Sequence, residues 1–257
     1  MAADVSIAAA DGASGVACVL DGSQDRSQRP IVKTAPTRDR LFPRPFETGI
    51  VVSMKARSSL RAEPDYDELV ALVRDLPRGR VGQIVNSKLY VSTTCDPAHA
   101  HTLAEMSATL LAGAPDGDPV PSGWTFLTEV ELVLPGQTLV TADIAGWRAP
   151  HERIGALPLP IGLVPQWVCE VLDPGTRSLD LTSKRQIYAL SGVQNLWIVD
   201  PHARVLEVYE NHRGRWLLAE AVGEDVIAAP PFDDLHFDVG DLWMPLPPPP
   251  RQPHRPS

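Results

Sequence analysis

The chain has 257 residues, of which 44% are hydrophobic and 21% charged, a composition ordinary for a soluble globular protein with a full core. Its three cysteines, Cys18, Cys95 and Cys169, lie far apart without a Cys-x-x-Cys pair, which argues against a disulfide framework and a thiolate zinc site. No apolar run approaches the roughly 18 residues of a membrane span, and the N-terminus lacks the pattern of a secretory signal. We therefore expect a cytoplasmic protein without a membrane partner.

The charge is unevenly distributed along the chain. Residues 61–244 contain 26 acidic and 13 basic side chains, whereas residues 1–60 and 245–257 each carry a small net positive charge. An acidic domain opposes non-specific attraction to a phosphate backbone. A role on nucleic acid would therefore need a local basic cleft, bound cations or the basic tails.

Neither end of the chain shows the regular spacing of hydrophobic residues that predicts a helix or a strand. Residues 1–60 mix Ala, Gly and Ser with scattered Arg and Pro, and we predict that they are disordered. Met54 lies just before the first periodic segment and is a candidate translation start. Residues 245–257 form a Pro-rich tail, which is either plainly solvated or a polyproline docking segment. This leaves one domain over residues 61–244.

Within that domain the hydrophobic periods predict a series of helices and strands. In chain order these are a helix over 66–76, a hairpin over 81–92 turning at Asn86-Ser87, a helix over 98–112, strands over 124–134 and 137–147 joined at Pro135-Gly136, a strand over 166–172, a helix over 178–191 stopped by Gly192, a buried strand over 193–199, and strands over 204–209 and 216–222. Only the helix from residue 178 gives a crossover long enough for parallel pairing, so we predict an α/β domain with a mixed sheet.

Three polar side chains stand out against this pattern. Glu170 lies within the apolar strand 166–172, where a lone carboxylate costs several kcal/mol unless a metal, a proton or a partner charge compensates it. Asp143 lies near the end of the preceding strand, and Lys184 lies one turn into the following helix. Two carboxylates on adjacent strands can hold Mg²⁺, and a lysine can stabilise the charge that develops during phosphodiester hydrolysis. In the usual arrangement that lysine sits two residues after the glutamate, where this chain has Leu172.

Structural roles for the same residues remain open at this point. Asp143 could terminate a strand, Glu170 could pair with Arg148 or Arg177, and Lys184 could lie on the solvated helix face. Asp180 lies four residues before Lys184 and could form a surface pair with it.

Other polar and aromatic residues favour structural interpretations. Glu129 and Glu131 alternate in one strand, which is typical of a solvated face. His99 and His101 form a His-x-His pair without an obvious third ligand, so a metal site there is not favoured. The large aromatic residues of the domain are more typical of a core than of a stacking platform. These are Trp147, Trp167, Tyr188 and Trp197.

Four ordered motifs resemble the Uma family of predicted restriction endonucleases, a bacterial branch of the PD-(D/E)xK nuclease superfamily. They are Thr141-Ala-Asp-Ile-Ala-Gly-Trp-Arg148, Trp167-Val-Cys-Glu-Val-Leu-Asp-Pro-Gly-Thr176, Asp180-Leu-Thr-Ser-Lys-Arg-Gln-Ile-Tyr188 and Gly192-Val-Gln-Asn-Leu-Trp-Ile-Val-Asp-Pro201. The resemblance implies a restriction-endonuclease-like mixed β-sheet flanked by helices. It also implies Asp143 and Glu170 as ligands of Mg²⁺, for which Mn²⁺ can substitute, and Lys184 as a catalytic lysine displaced onto a helix.

The resemblance further implies DNA as the substrate, and a nuclease that cuts both strands suggests a homodimer. The chain departs from the family pattern at Gln83, where relatives have a glutamate, at Ser87, where they have a turn glycine, and at Ala142, where they have a proline. Two other functions therefore stay open. One is a nuclease-fold binding or regulatory module that has lost its activity, and the other is a metal hydrolase of small phosphorylated substrates.

Overall fold

The structure, a computed structural model, describes residues 64–93, 96–111 and 123–245, together with three short N-terminal strands. These strands, β1 (Ser6–Ile7), β2 (Val16–Val19) and β3 (Ile50–Val51), form a sheet of their own. The rest of residues 1–60, including the predictions of disorder and of a start at Met54, lies outside the described residues. So does the tail beyond residue 245.

The first helix and hairpin form as the sequence predicts. Helix α1 (Tyr66–Arg74) begins with a capping box, in which the Asp65 side chain accepts from the backbone of Glu68 and the Glu68 side chain accepts from the backbone of Asp65. Strands β4 (Val81–Val85) and β5 (Lys88–Ser92) follow. Asn86 and Ser87 join them, and both adopt positive φ angles, as the tight turn of a two-residue hairpin requires.

Helix α2 (Pro97–Leu111) and a long hairpin come next. Strands β6 (Thr125–Leu134) and β7 (Thr138–Trp147) pair along their full length. Because β6 covers one edge of β7, the other edge is shared by β8 (Trp167–Val171) and β4. The loop before β8 contains a short helix, α3 (His151–Gly155), which the Pro-rich sequence did not predict.

One continuous helix links β8 to β9 (Asn195–Asp200). It consists of α4 (Arg177–Leu179), a π-helical segment (Asp180–Lys184) and α5 (Arg185–Ser191), and it ends at Gly192 with φ 92°. This α4–α5 helix is the crossover that the sequence predicts, since β8 and β9 pair in parallel. The prediction of a mixed sheet is therefore confirmed.

The remaining strands continue the sheet by antiparallel pairing. Strands β10 (Val205–Asn211) and β11 (Trp216–Val222) extend it to the order β11-β10-β9-β8-β7-β4-β5, with β6 on the other edge of β7. A two-stranded sheet, β12 (Val226–Ile227) with β13 (Phe237–Asp238), and a 3₁₀ turn (Val239–Leu242) close the described chain; the sequence did not predict them.

Apolar side chains pack on both faces of the sheet. On β8 and β9 the side chains alternate, so that Val168, Leu172 and Ile198 join one core and Trp167 and Trp197 the other. The first core is covered by the α4–α5 helix. Glu170 shares the face of Val168 and Leu172, so it points toward that helix. Among the described residues no helix is long and apolar enough to cross a membrane.

Candidate active site

The register of β7 against β8 sets Asp143 opposite Glu170. Ile144 pairs with Cys169 and Ala145 with Val168, and one further step of this ladder aligns the two acids. Directly opposed side chains on one face of an antiparallel pair have Cβ atoms about 4.5–5.5 Å apart. Both carboxyl groups line the same cavity.

Glu170 is held by two side chains of the crossover helix. Its Oε2 accepts a hydrogen bond from Lys184 Nζ at 2.7 Å, and its Oε1 accepts one from the Tyr188 hydroxyl at 2.5 Å. The side chain of Glu170 is 1% exposed and that of Lys184 is 3% exposed. The carboxylate that the sequence places inside a strand is therefore compensated by a buried ammonium group and a buried hydroxyl.

The π-helical segment holds Lys184 in this position. The backbone N–H of Arg185 donates to the carbonyl of Asp180, five residues earlier, so the turn is wider than an α-helical one. Lys184 Nζ also contacts Asp180 Oδ1 at 3.1 Å and donates to the Thr141 carbonyl at 2.9 Å. The Lys184 ammonium group therefore contacts the carboxylates of Glu170 and Asp180 and the backbone of β7.

Asp143 is oriented from two sides. Its Oδ2 accepts a hydrogen bond from the backbone N–H of Val171 at 2.8 Å. Its Oδ1 lies 3.7 Å from Nε2 of His99, a residue of α2 whose side chain is 8% exposed. The second ring nitrogen of His99, Nδ1, is buried and has no hydrogen-bond partner among the described residues.

The electrostatics of the cluster are dominated by burial. Burial raises the pKa of Asp143 to about 7 and that of Glu170 to about 8, although the charge of Lys184 opposes both shifts. Burial alone would lower the pKa of Lys184, but attraction by Asp180, Glu170 and Asp143 outweighs it and raises that pKa. The buried Glu170 and Asp180 and the partly buried Asp143 thus compete for one ammonium charge, and the cluster favours a further cation or a proton.

The two strand acids and the lysine line one cavity of about 420 Å³. Glu129 also lines it, and the register of β6 against β7 sets this residue beside Asp143. Its φ of 48° interrupts the regular strand there. The cavity is lined by Gly79, Arg80, Val81, Gln83, Ser92, Thr93, His99, Glu129, Thr141, Asp143, Glu170, Asp173, Thr176, Asp180 and Lys184.

Comparison with known proteins decides the family. A profile described as "Uma2: Putative restriction endonuclease" matches residues 65–240, which is more than half of the chain. The chain belongs to this family. The crystal structure of a putative nuclease belonging to DUF820 from Anabaena variabilis ATCC 29413 is similar, with a TM-score of 0.53 and 20% sequence identity. The match covers 70% of this chain and 97% of that one, and it shows a shared fold. No curated protein matches the chain.

The Uma2 assignment confirms the resemblance of the four motifs, and the nuclease fold is the predicted one. The structural roles considered for Glu170 and Lys184 do not match the structure. Glu170 pairs with Lys184 rather than with Arg148 or Arg177, and Arg177 pairs with Asp200 instead. The solvated position considered for Lys184 is wrong, because the residue is 2% exposed.

Three side chains of this candidate site were missed or misjudged from the sequence. Asp180 forms the predicted i,i+4 pair with Lys184, but the pair is buried. Tyr188 is buried as predicted, yet it also donates to Glu170. His99 approaches Asp143 because α2 packs over the end of β8, a long-range contact for which the sequence carries no signal beyond the His-x-His pair.

The departures from the Uma2 pattern have structural consequences. Gln83 is buried, and its Oε1 accepts from the backbone N–H of Thr141 at 3.1 Å, so it ties β4 to the strand that carries Asp143. Ser87 adopts φ 57°, a conformation that glycine enters without strain. Ala142 is fully buried, and Asp143 keeps its place on β7 without the family proline.

The donor set of the site fits a hard divalent cation. Within the described residues no three His, Cys, Asp or Glu side chains stand around one point at ligand distances. Asp143 and Glu170 nevertheless present carboxyl groups to the same cavity, and burial raises the pKa values of both. Oxygen donors and excess negative charge are what Mg²⁺ and Mn²⁺ require.

Proposed function

We propose that this protein is a metal-dependent endonuclease that hydrolyses DNA phosphodiester bonds. In this proposal Asp143 and Glu170 hold Mg²⁺, or Mn²⁺ in its place. The observation that carries it is that these two acids of adjacent strands line one cavity, with Lys184 Nζ 2.7 Å from Glu170 Oε2. When bound, the cation would supply activated water and offset the charge of the phosphate.

The residues of the chain have distinct tasks in this reaction. Val171 N–H and the Tyr188 hydroxyl orient the two carboxylates, each by a hydrogen bond to the oxygen that it reaches. Lys184 keeps its charge at neutral pH because of its acidic neighbours, and it stabilises negative charge developing on the phosphate. Arg80, at the mouth of the cavity, supplies a further positive charge for the DNA backbone.

Plasmid nicking by the purified full chain tests the proposal. We expect nicking with Mg²⁺ or Mn²⁺ and none with EDTA. Asp143→Asn and Glu170→Gln should each abolish nicking, since the amides preserve shape and hydrogen bonding but remove the charge that holds a cation. Glu131→Gln is the matched control, because Glu131 is an exposed strand carboxylate that does not line the cavity.

The outcomes separate the alternatives. An intact plasmid after long incubation with Mn²⁺, together with cation binding by the wild type, would assign the chain to the inactive binding modules. Cleavage restricted to mononucleotide diesters would favour a hydrolase of small substrates. A homodimer remains part of the proposal, since a nuclease that cuts both strands often uses two copies of its site, and light scattering of the eluted protein measures it.

A further inference from the structure

We infer that His99 is a third protein ligand of the site, and that it makes the proposed metal centre a mixed carboxylate and imidazole centre. The inference rests on the proposed function and deepens it. Its starting point is that His99 Nε2 lies 3.7 Å from Oδ1 of Asp143 inside the cavity, with a side chain 92% buried.

The distance suits two ligands of one ion. Ligand atoms about 2.1 Å from a cation are about 3.0 Å apart at an octahedral angle and about 3.4 Å apart at a tetrahedral one. Asp143 and His99 therefore need to close by less than about 1 Å to share an ion. The other oxygen of Asp143 is already used by Val171 N–H, so Oδ1 is the atom available.

A purely structural histidine would be expected to satisfy both ring nitrogens. Buried polar groups are nearly always hydrogen-bonded, yet Nδ1 of His99 has no partner among the described residues and Nε2 meets only the long contact to Asp143. A cation bound at Nε2 would give this nitrogen a close partner in place of the long contact to Asp143, while Nδ1 stays without a partner among the described residues.

The fold fixes His99 from its own helix. Asp96 caps α2 by accepting from the backbone N–H groups of Ala98 at 2.7 Å and His99 at 3.2 Å. The Asp96 backbone N–H donates to Asp173 Oδ2 at 2.8 Å, which ties the start of α2 to the loop after β8. Further along, Thr102 donates to the Leu242 carbonyl at 2.8 Å. The imidazole is therefore positioned in advance.

An imidazole ligand changes which metals the site prefers. Nitrogen donors strengthen binding of Co²⁺ and Ni²⁺ relative to Mg²⁺, whereas a purely carboxylate site discriminates less. We expect His99→Gln to weaken Co²⁺ binding roughly tenfold or more, and Mg²⁺ binding by less, as measured by calorimetry. His101→Gln is the matched control, because His101 lies on the same helix and does not line the cavity.

Pulsed electron paramagnetic resonance on the Mn²⁺-loaded full chain tests the ligand directly. We expect nitrogen coupling of imidazole type in the wild type, its persistence in His101→Gln, and its loss in His99→Gln with bound Mn²⁺ retained. Bound Mn²⁺ without nitrogen coupling in the wild type, or coupling that survives in His99→Gln, overturns the inference and leaves the proposed function standing. Failure of the wild type to bind Mn²⁺ at all overturns the proposed function itself.

Discussion

Replacing Lys184 by methionine should destabilise the protein strongly in the absence of metal. Methionine keeps much of the length and apolar stem but removes the charge that compensates Glu170 at 2.7 Å and Asp180 at 3.1 Å. Removing one partner of a buried pair costs about 3–5 kcal/mol. For a domain of this size, each kcal/mol lowers the melting temperature by about 2–4 °C. We therefore expect a fall of roughly 6–20 °C.

Thermal unfolding followed by circular dichroism in EDTA at about pH 8.5, above the raised pKa values of the site acids, measures this effect. Lys88→Met is the control, since Lys88 is exposed on β5 and its loss should change stability by no more than about 0.5 kcal/mol. Adding Glu170→Gln to Lys184→Met should recover part of the loss, because one uncompensated charge disappears.

Equal melting temperatures for Lys184→Met and the Lys88→Met control would contradict this prediction. That result would mean that Lys184 does not compensate buried charge. A double variant less stable than Lys184→Met alone would show that Glu170 contributes packing rather than charge.

Two further predictions concern the same cluster. The pKa values of Asp143 and Glu170 are raised to about 7 and about 8, so the folded protein holds protons that the unfolded chain has already released. Without metal, the contribution of these two groups to the free energy of unfolding therefore falls as pH rises from about 5 to about 8. Mn²⁺ competes with these protons and should raise the melting temperature more at about pH 8.5 than at about pH 6; equal increments would contradict this. Tyr188→Phe removes a buried hydrogen bond to Glu170, and at about pH 8.5, where this carboxylate is charged, it should cost about 1.5–3 kcal/mol in denaturant unfolding. Tyr209→Phe, which loses a bond to the half-buried Glu207, should cost about 1 kcal/mol or less, and equal losses would refute the difference.

The sequence predicted the elements that carry the acids because their periods are local. The hydrophobic patterns of residues 137–147 and 166–172 place Asp143 and Glu170 on consecutive strands, and these two strands pair in the sheet. Whether the two side chains lie on the same face of the sheet depends on the register of β7 against β8, which the hydrophobic periods of the strands alone do not specify. Once the ladder is known, the opposition of the two acids follows from counting.

The rest of the site depends on contacts between distant segments. His99 reaches Asp143, 44 positions further along the chain, because α2 packs against β8. An i,i+4 charge pair is typical of exposed helix faces, so the sequence suggested that Asp180 lies at the surface. Asp180 is buried because its helix packs against the sheet. The π-helical segment has no compositional signature, since it is defined by hydrogen bonds alone.

The wide turn at Asp180–Lys184 restricts insertions and deletions in this part of the chain. Removing one residue there would restore an ordinary helix but rotate everything after it by about 100°. Lys184 and Tyr188 could then no longer both face Glu170. The length of this segment is accordingly as strict a requirement as the identity of its side chains, and homologues should be aligned across it without gaps.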